Sequence, residues 1–176
     1  MRWRDKAKFV ASVVQAAGGC LTGRTKLQKT VYLIQAAGWK NDFSFHYLHY
    51  GPYSDTLAEA AENACLLNLL QEKRIKTSSG NLYSIYQFMP TTEQSIVFED
   101  PIRCLIQKAS QANAIELELA ATALYLAKEE KNSAPWNETK RRKPQKSTKG
   151  FIDRAKFLYA DLRNCAPDFL PEMTDV

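Results

Sequence analysis

The chain has 176 residues, of which 45% are hydrophobic and 24% charged, and a formal net charge of +5. This balance argues against disorder, and the length is enough to bury one core without disulfides or a structural metal. No run approaches the roughly 18 apolar residues needed to cross a bilayer, and no apolar stretch follows the charged opening MRWRDKAKFV, so the expectation is a cytoplasmic protein without membrane contact.

Phe9, Val10, Val13, Val14 and Ala17 recur at helical spacing within residues 4–18, and Gly18-Gly19 then supplies a helix stop. Thr25-Lys26-Leu27-Gln28 has the form of a capping box, and Leu27, Val31 and Ile34 follow on one face, which predicts a second helix over 26–37. The aromatic-rich residues 43–50 are too short for a helix of their own and read as a strand or extended segment. After them Gly51, Pro52, Tyr53 and Ser54 suit a strand-to-helix hinge. Gly51 permits a sharp turn, Pro52 fixes the next dihedral, Tyr53 can bury its ring, and Ser54 caps a third helix over 55–70. Residues 71–76 and 81–88 flank Thr77-Ser78-Ser79-Gly80, a turn-forming cluster, and Leu82, Ser84, Tyr86 and Phe88 alternate with Tyr83, Ile85 and Gln87, a hairpin signal.

In the second half, Asp100 and Pro101 suit the N-cap and first position of a helix over 100–109. Residues 114–128 are apolar around nearly the whole circumference, as expected of a central, buried helix. Residues 131–150 are the most loop-like part, with Trp136 as one anchor. A last helix is expected over 148–163, and a tail, 164–176, that docks loosely or frays. The predicted class is mainly α (α+β), in a single domain over 1–176. A winged-helix-like N-terminal half, 1–90, has one hairpin as its wing, and C-terminal helices over 100–163 complete the same core.

Chemistry-bearing residues are few. Cys20, Cys65, Cys104 and Cys165 form no C-x-x-C pair or zinc spacing, and Cys65 and Cys104 lie in apolar helical patterns, as buried free thiols would. His46 and His49 are the only histidines, and in an extended segment they point to opposite faces, against a shared metal. No P-loop, nucleophile elbow, dinucleotide fingerprint or H-E-x-x-H is present. The expectation is a non-enzymatic module with no metal and no cofactor.

Two short motifs carry a resemblance. Lys26-Leu27-Gln28-Lys29 with Val31-Tyr32-Leu33-Ile34, followed by Tyr50-Gly51-Pro52-Tyr53-Ser54, resembles the bacterial YwgA-like proteins and, more distantly, the Panacea or SocA-like antitoxin domain. Leu117 to Leu126 and Lys143-Pro144 are similar to that family's C-terminal half. The resemblance implies a winged-helix-like, mainly α fold that acts by binding: Panacea domains neutralise toxins directly, and the related antitoxin is a proteolytic adaptor. Tyr50 stands where the Panacea pattern is closer to a histidine, which places the chain on the YwgA-like side.

The partner is read from charge. A DNA-reading winged helix lays its third helix in the major groove, yet the polar positions here are Asp55, Glu59, Glu62 and Asn63, and acids repel phosphates. The leading expectation is therefore a protein partner, a toxin or other effector, contacted through Trp39, Tyr53, Asp55, Glu59 and Glu62. The alternative is a DNA-binding regulator using Lys73, Arg74 and Lys76 of the wing, together with Lys140, Arg141, Arg142, Lys143, Lys146 and Lys149. Six cations fall within 140–149 without an acid, and the rest of the chain then carries 5 − 6 = −1. The same lysines and arginines also suit a solvated loop and a protected sheet edge. An enzyme with a polar pocket around His46 and His49 is the third reading.

Overall fold

The computed structural model describes residues 1–76, 80, 82–92 and 94–175. Its elements are α1 (Trp3–Ala16), β1 (Cys20–Thr22), α2 (Arg24–Ala36), β2 (His46–Leu48), β3 (Gly51–Tyr53), α3 (Asp55–Leu66), β4 (Leu70–Lys76), β5 (Leu82–Phe88), α4 (Asp100–Gln111), α5 (Ala114–Lys128), α6 (Pro135–Arg142) and α7 (Phe151–Arg163). Mainly α with small antiparallel sheets, this is the class the sequence predicts.

β1, β5 and β4 form an antiparallel sheet in that order, with Leu21 opposite Tyr86 and Ile75 opposite Tyr83. Helix, strand, two helices and a hairpin pairing back on the first strand is the winged-helix order. The hairpin ladder runs from Leu70↔Phe88 to Lys76↔Leu82. Most of the expected turn, Thr77-Ser78-Ser79, and the first residue of the expected second strand, Asn81, lie outside the described residues.

Several boundaries differ from the sequence reading. The stretch 43–50 is not one strand. β2 covers only His46–Leu48 and pairs with β3, so Gly51, Pro52 and Tyr53 form the return strand of a second hairpin instead of a hinge. The third helix ends at Leu66, because Asn68 takes a left-handed conformation (φ 55°) and Leu70 already begins β4. Residues 135–142, expected as loop, form α6, with Pro135 at its start, where a missing N–H costs nothing. The capping box at Thr25 to Gln28 does not form: Gly23 is the N-cap of α2, and the Gln28 side chain bonds elsewhere.

α5 is central, as its sequence predicts. Every residue from Leu117 to Leu124 is buried, as is Leu126, and the helix packs against α2, α6, α7 and β3. One apolar cluster runs from α1 through α2, α3, α4 and α5 to Leu170. Fully burying a leucine-sized side chain contributes about 1.5–3 kcal/mol, so this cluster dominates the stabilisation.

The tail does not fray. Tyr159 Oη donates to the Pro171 carbonyl (2.7 Å), Arg163 Nε to the Leu170 carbonyl (3.1 Å) and Trp136 Nε1 to the Met173 carbonyl (3.3 Å). Asp175 Oδ1 accepts from the backbone N–H of Trp136 and Asn137, two groups in the first turn of α6 that have no partner within the helix. Cys104 is not a free thiol: it forms a disulfide with Cys165, 61 residues away, tying α4 to the start of this strap. Cys65 is free and half-buried, and burial pushes its thiol pKa up.

Candidate partner-binding surface

α3 begins where Ser54 accepts a hydrogen bond from the Leu57 N–H (3.3 Å), an N-cap that fixes the rotation of the helix. Leu57, Ala60, Ala61 and Ala64 face the core, mostly against α1. That phase leaves Asp55, Glu59 and Glu62 exposed, and the helix, DTLAEAAENACL, contains no lysine or arginine. Beside it lies a groove of about 170 Å³ between α1 and α3, lined by Trp3, Thr56, Glu59 and Asn63 among others, in which Trp3 is 51% exposed.

A clasp between the two sequence motifs holds α3 in place. Gln28, 4% exposed on α2, makes two hydrogen bonds to one backbone residue: Nε2 donates to the Ser54 carbonyl and Oε1 accepts from the Ser54 N–H, both at 2.9 Å. Lys29, 1% exposed, donates to the Pro52 carbonyl at 2.7 Å. The KLQK and YGPYS segments are thus the two halves of one contact. Gly51 completes it at φ 80°, where an added Cβ would lie 2.3 Å from Thr122 Oγ1 on α5. Here glycine serves both the backbone angle and the close approach.

The chain is similar to YwgA of Bacillus subtilis (strain 168). The two are 29% identical over 131 residues, which cover 69% of this chain and 74% of YwgA, itself described as an uncharacterized protein. No family model and no solved structure matches the chain.

Beneath the β2–β3 hairpin lies a buried ionic cluster. Lys143 Nζ donates to the His49 carbonyl (2.7 Å) and to Glu118 Oε1 (2.8 Å), and Lys146 Nζ reaches both Glu118 oxygens (2.8 and 2.7 Å). Lys146 also sits 4.5 Å from the centroid of the Tyr50 ring. Lys29 and Lys143 therefore grip the carbonyls on either side of the turn. Burial holds the Lys29 ammonium down to about 7, against a partial pull upward from Glu118, and also lowers Lys143.

The basic stretch is consequently far less basic in space than in sequence. Lys143 is 6% exposed and, with Lys146, is spent on Glu118. Arg141 and Arg142 both bond Glu138, whose carboxyl they hold down to about 2, and Arg142 also forks onto Glu130 at 2.9 and 2.6 Å. Lys140 and Lys149 are exposed at the two ends. In the wing, Lys73, Arg74 and Lys76 are exposed, and Glu72 is tied to Arg24 (2.9 Å), Ser84 (2.5 Å) and, more loosely, Arg74 (3.5 Å).

The sequence-predicted partner residues are only partly brought together. Asp55, Glu59 and Glu62 share one face. Tyr53 is half-buried and lines a small cavity with Arg24, Gln28 and Glu62. Trp39 is half-buried, its ring edge-on to Phe98 at 5.2 Å between centroids, so it serves packing more than contact. His46 and His49 both lie at the surface, with His46 3.7 Å from Asp55. Among the described residues, no three His, Cys, Asp or Glu side chains converge on a common point, and no helix is long and apolar enough to cross a membrane. The sequence reading missed Trp3 and Leu66, the latter 79% exposed at the end of α3. Helical phase places Leu66 off the core face, a signal that was present in the sequence.

Proposed function

We propose that the protein is a binding module rather than a catalyst, and that it engages a protein partner through the solvent face of α3 and the Trp3 groove beside it. One observation carries this reading: the helix that a winged helix presents to its target has three exposed acids and no cation. Acids in that position repel a phosphate backbone and suit a basic protein surface, while an exposed tryptophan next to them is the residue type that anchors interfaces. A toxin or another effector, the class implied by the antitoxin resemblance, is the partner in view.

The test is capture on the immobilised chain from host extract, with and without nuclease. The expected result is a stoichiometric protein that survives nuclease and is lost from the Glu59→Lys/Glu62→Lys variant at unchanged thermal stability. DNA binding is the competing reading, favoured by the exposed wing cations Lys73, Arg74 and Lys76. Duplex DNA retained at low salt, released by Lys73→Glu/Lys76→Glu and indifferent to the α3 reversal, would replace the protein-partner account with that one.

A further inference from the structure

α7 and the strap that follows it form one unit. The Tyr159 and Arg163 side chains that hold Pro171 and Leu170 belong to α7 itself, so helix and strap fold back on one another. The near end of the unit is anchored to α5: Arg154 bonds Glu116 at 2.7 Å, and Lys146, just upstream, bonds Glu118. At the far end Leu162, Ala166 and Leu170 are buried, and the polar contacts around them lie at the margin of the core. Lys108 reaches Asp161 (3.1 Å), Lys128 reaches the Phe169 carbonyl (3.4 Å), and Asp175 meets the first turn of α6. The covalent tie at this end is the Cys104–Cys165 disulfide.

A chain end docked on a core opens and closes by itself, at a free-energy cost below that of global unfolding. Closing that end into a loop forbids the motion. With the Cα atoms of Cys104 and Cys165 held 5.8 Å apart, Leu162 and Ala166 cannot leave the cluster unless α4 leaves with them. The disulfide therefore decides whether this end opens alone or only together with the rest. It is also placed for exchange. Both cysteines are half-buried, at the edge of the core, where a thiol can approach. The chain keeps Cys20 and Cys65 as free thiols, and Cys20 is exposed. An exposed thiol beside a disulfide suits surroundings in which such bonds form and break, and not ones that oxidise every thiol for good.

We propose that Cys104–Cys165 is a reversible redox latch: reduction by a dithiol lets residues 159–170 and the strap beyond them detach, and exchange with a disulfide oxidant fastens them again. A thiolate of the dithiol attacks the Sγ of one cysteine, and the other leaves as a thiolate that takes up a proton. The second thiol of the reductant then displaces the mixed disulfide. The dithiol gives up two electrons and two protons and closes into its own disulfide, while Cys104 and Cys165 end as thiols. When the strap lifts, Asp175 and the Met173 carbonyl leave α6, so the backbone N–H groups of Trp136 and Asn137 and the Trp136 indole lose their acceptors. The state of one bond thus reaches α6 as well as α7.

Hydrogen exchange read by mass spectrometry, on the full chain in native buffer before and after dithiothreitol, tests it. Alkylation should count the two thiols of Cys20 and Cys65 before reduction and four after it, with the helical circular dichroism retained. On reduction the amides of residues 159–170, Trp136 and Asn137 should speed up together, by at least about tenfold more than those of α1 and α2. That excess separates the opening of one end from a loss of global stability, which speeds all buried amides alike. Cys104→Ser/Cys165→Ser should exchange like the reduced chain with or without dithiothreitol, and oxidised glutathione should restore the slow pattern in the wild type. Four thiols before reduction, or a bridge that yields to dithiothreitol only in urea, overturns the proposal. So does loss of the helical signal on reduction, or an acceleration that is absent or equal in all helices.

Discussion

Replacing Gln28 by leucine removes the clasp on Ser54 while nearly keeping the side chain's volume, and the cost can be worked from the contacts. Two hydrogen bonds are lost, but they do not leave equal debts. The Ser54 carbonyl still accepts from the Ala58 N–H at 3.1 Å, so losing the Nε2 bond costs about 1 kcal/mol, the usual net value. The Ser54 N–H has Gln28 Oε1 as its acceptor and sits at a residue with 0% exposure, so it is orphaned, at about 1–3 kcal/mol. The sum is about 2–4 kcal/mol, a large share of the roughly 5–15 kcal/mol that holds a typical domain together. Ser54→Ala is the control. It removes the side-chain cap on Leu57 and leaves the clasp intact, for about 1 kcal/mol. Urea denaturation monitored by circular dichroism, with the m-value required to stay constant, reads both. If Gln28→Leu costs no more than Ser54→Ala, water or a neighbour has replaced the amide, and the claim that α2 fixes the start of α3 is wrong.

Three further outcomes are expected. Gly51→Ala forces an L-residue to φ 80° and pushes its Cβ into Thr122 Oγ1, so it should lose at least about 2 kcal/mol in the same titration, with Thr122→Ala restoring part of the loss. Cys104→Ala/Cys165→Ala removes a cross-link between residues 61 apart, for which chain entropy predicts a loss of about 4 kcal/mol; a loss under about 1 kcal/mol would mean the disulfide does not hold in solution. Lys29 releases its proton near pH 7 in the folded chain but only near 10.4 when unfolded, so between those values the unfolded state binds more protons and stability rises with pH. The contribution of this lysine is lost as pH falls through about 7. Calorimetry should show a pH-dependent gain in Tm between about pH 7 and 9.5, below the range where the buried Tyr32, Tyr86 and Tyr159, all with raised pKa values, begin to ionise. Lys29→Met should flatten that gain, and an unchanged slope would refute the assignment.

What could be read in the sequence depended on how far apart the interacting residues lie. α1 and α5 declare themselves because burial repeats within one helix, and the wing does so because alternation is local. β1 does not: of its three residues only Leu21 is buried, and it is a strand because β5 and its flanks supply partners, with Phe88 N–H on the Gly19 carbonyl and Gly23 N–H on the Ser84 carbonyl. α6 was masked by composition, although Pro135 in first position and the Glu138 to Arg142 spacing were usable signals. Gln28 fits a local capping motif, yet its partner is 26 residues away. The acids of the candidate surface were legible, since helical phase alone exposes them. The fate of the basic stretch was not, because Glu118 and Glu130 lie outside it and only the fold brings them near.

The strap over α6 also has a bearing on the order in which the molecule is finished. Trp136 and the first turn of α6 find their partners at Met173 and Asp175, so during synthesis this helix must wait some 35–40 residues for the groups that complete it. At the usual pace of translation, about 5–20 residues per second, that interval lasts on the order of seconds. Until the strap is seated, the indole N–H and the first backbone N–H groups of α6 are without the acceptors that they have in the folded chain, so the end of the sequence completes a helix that precedes it.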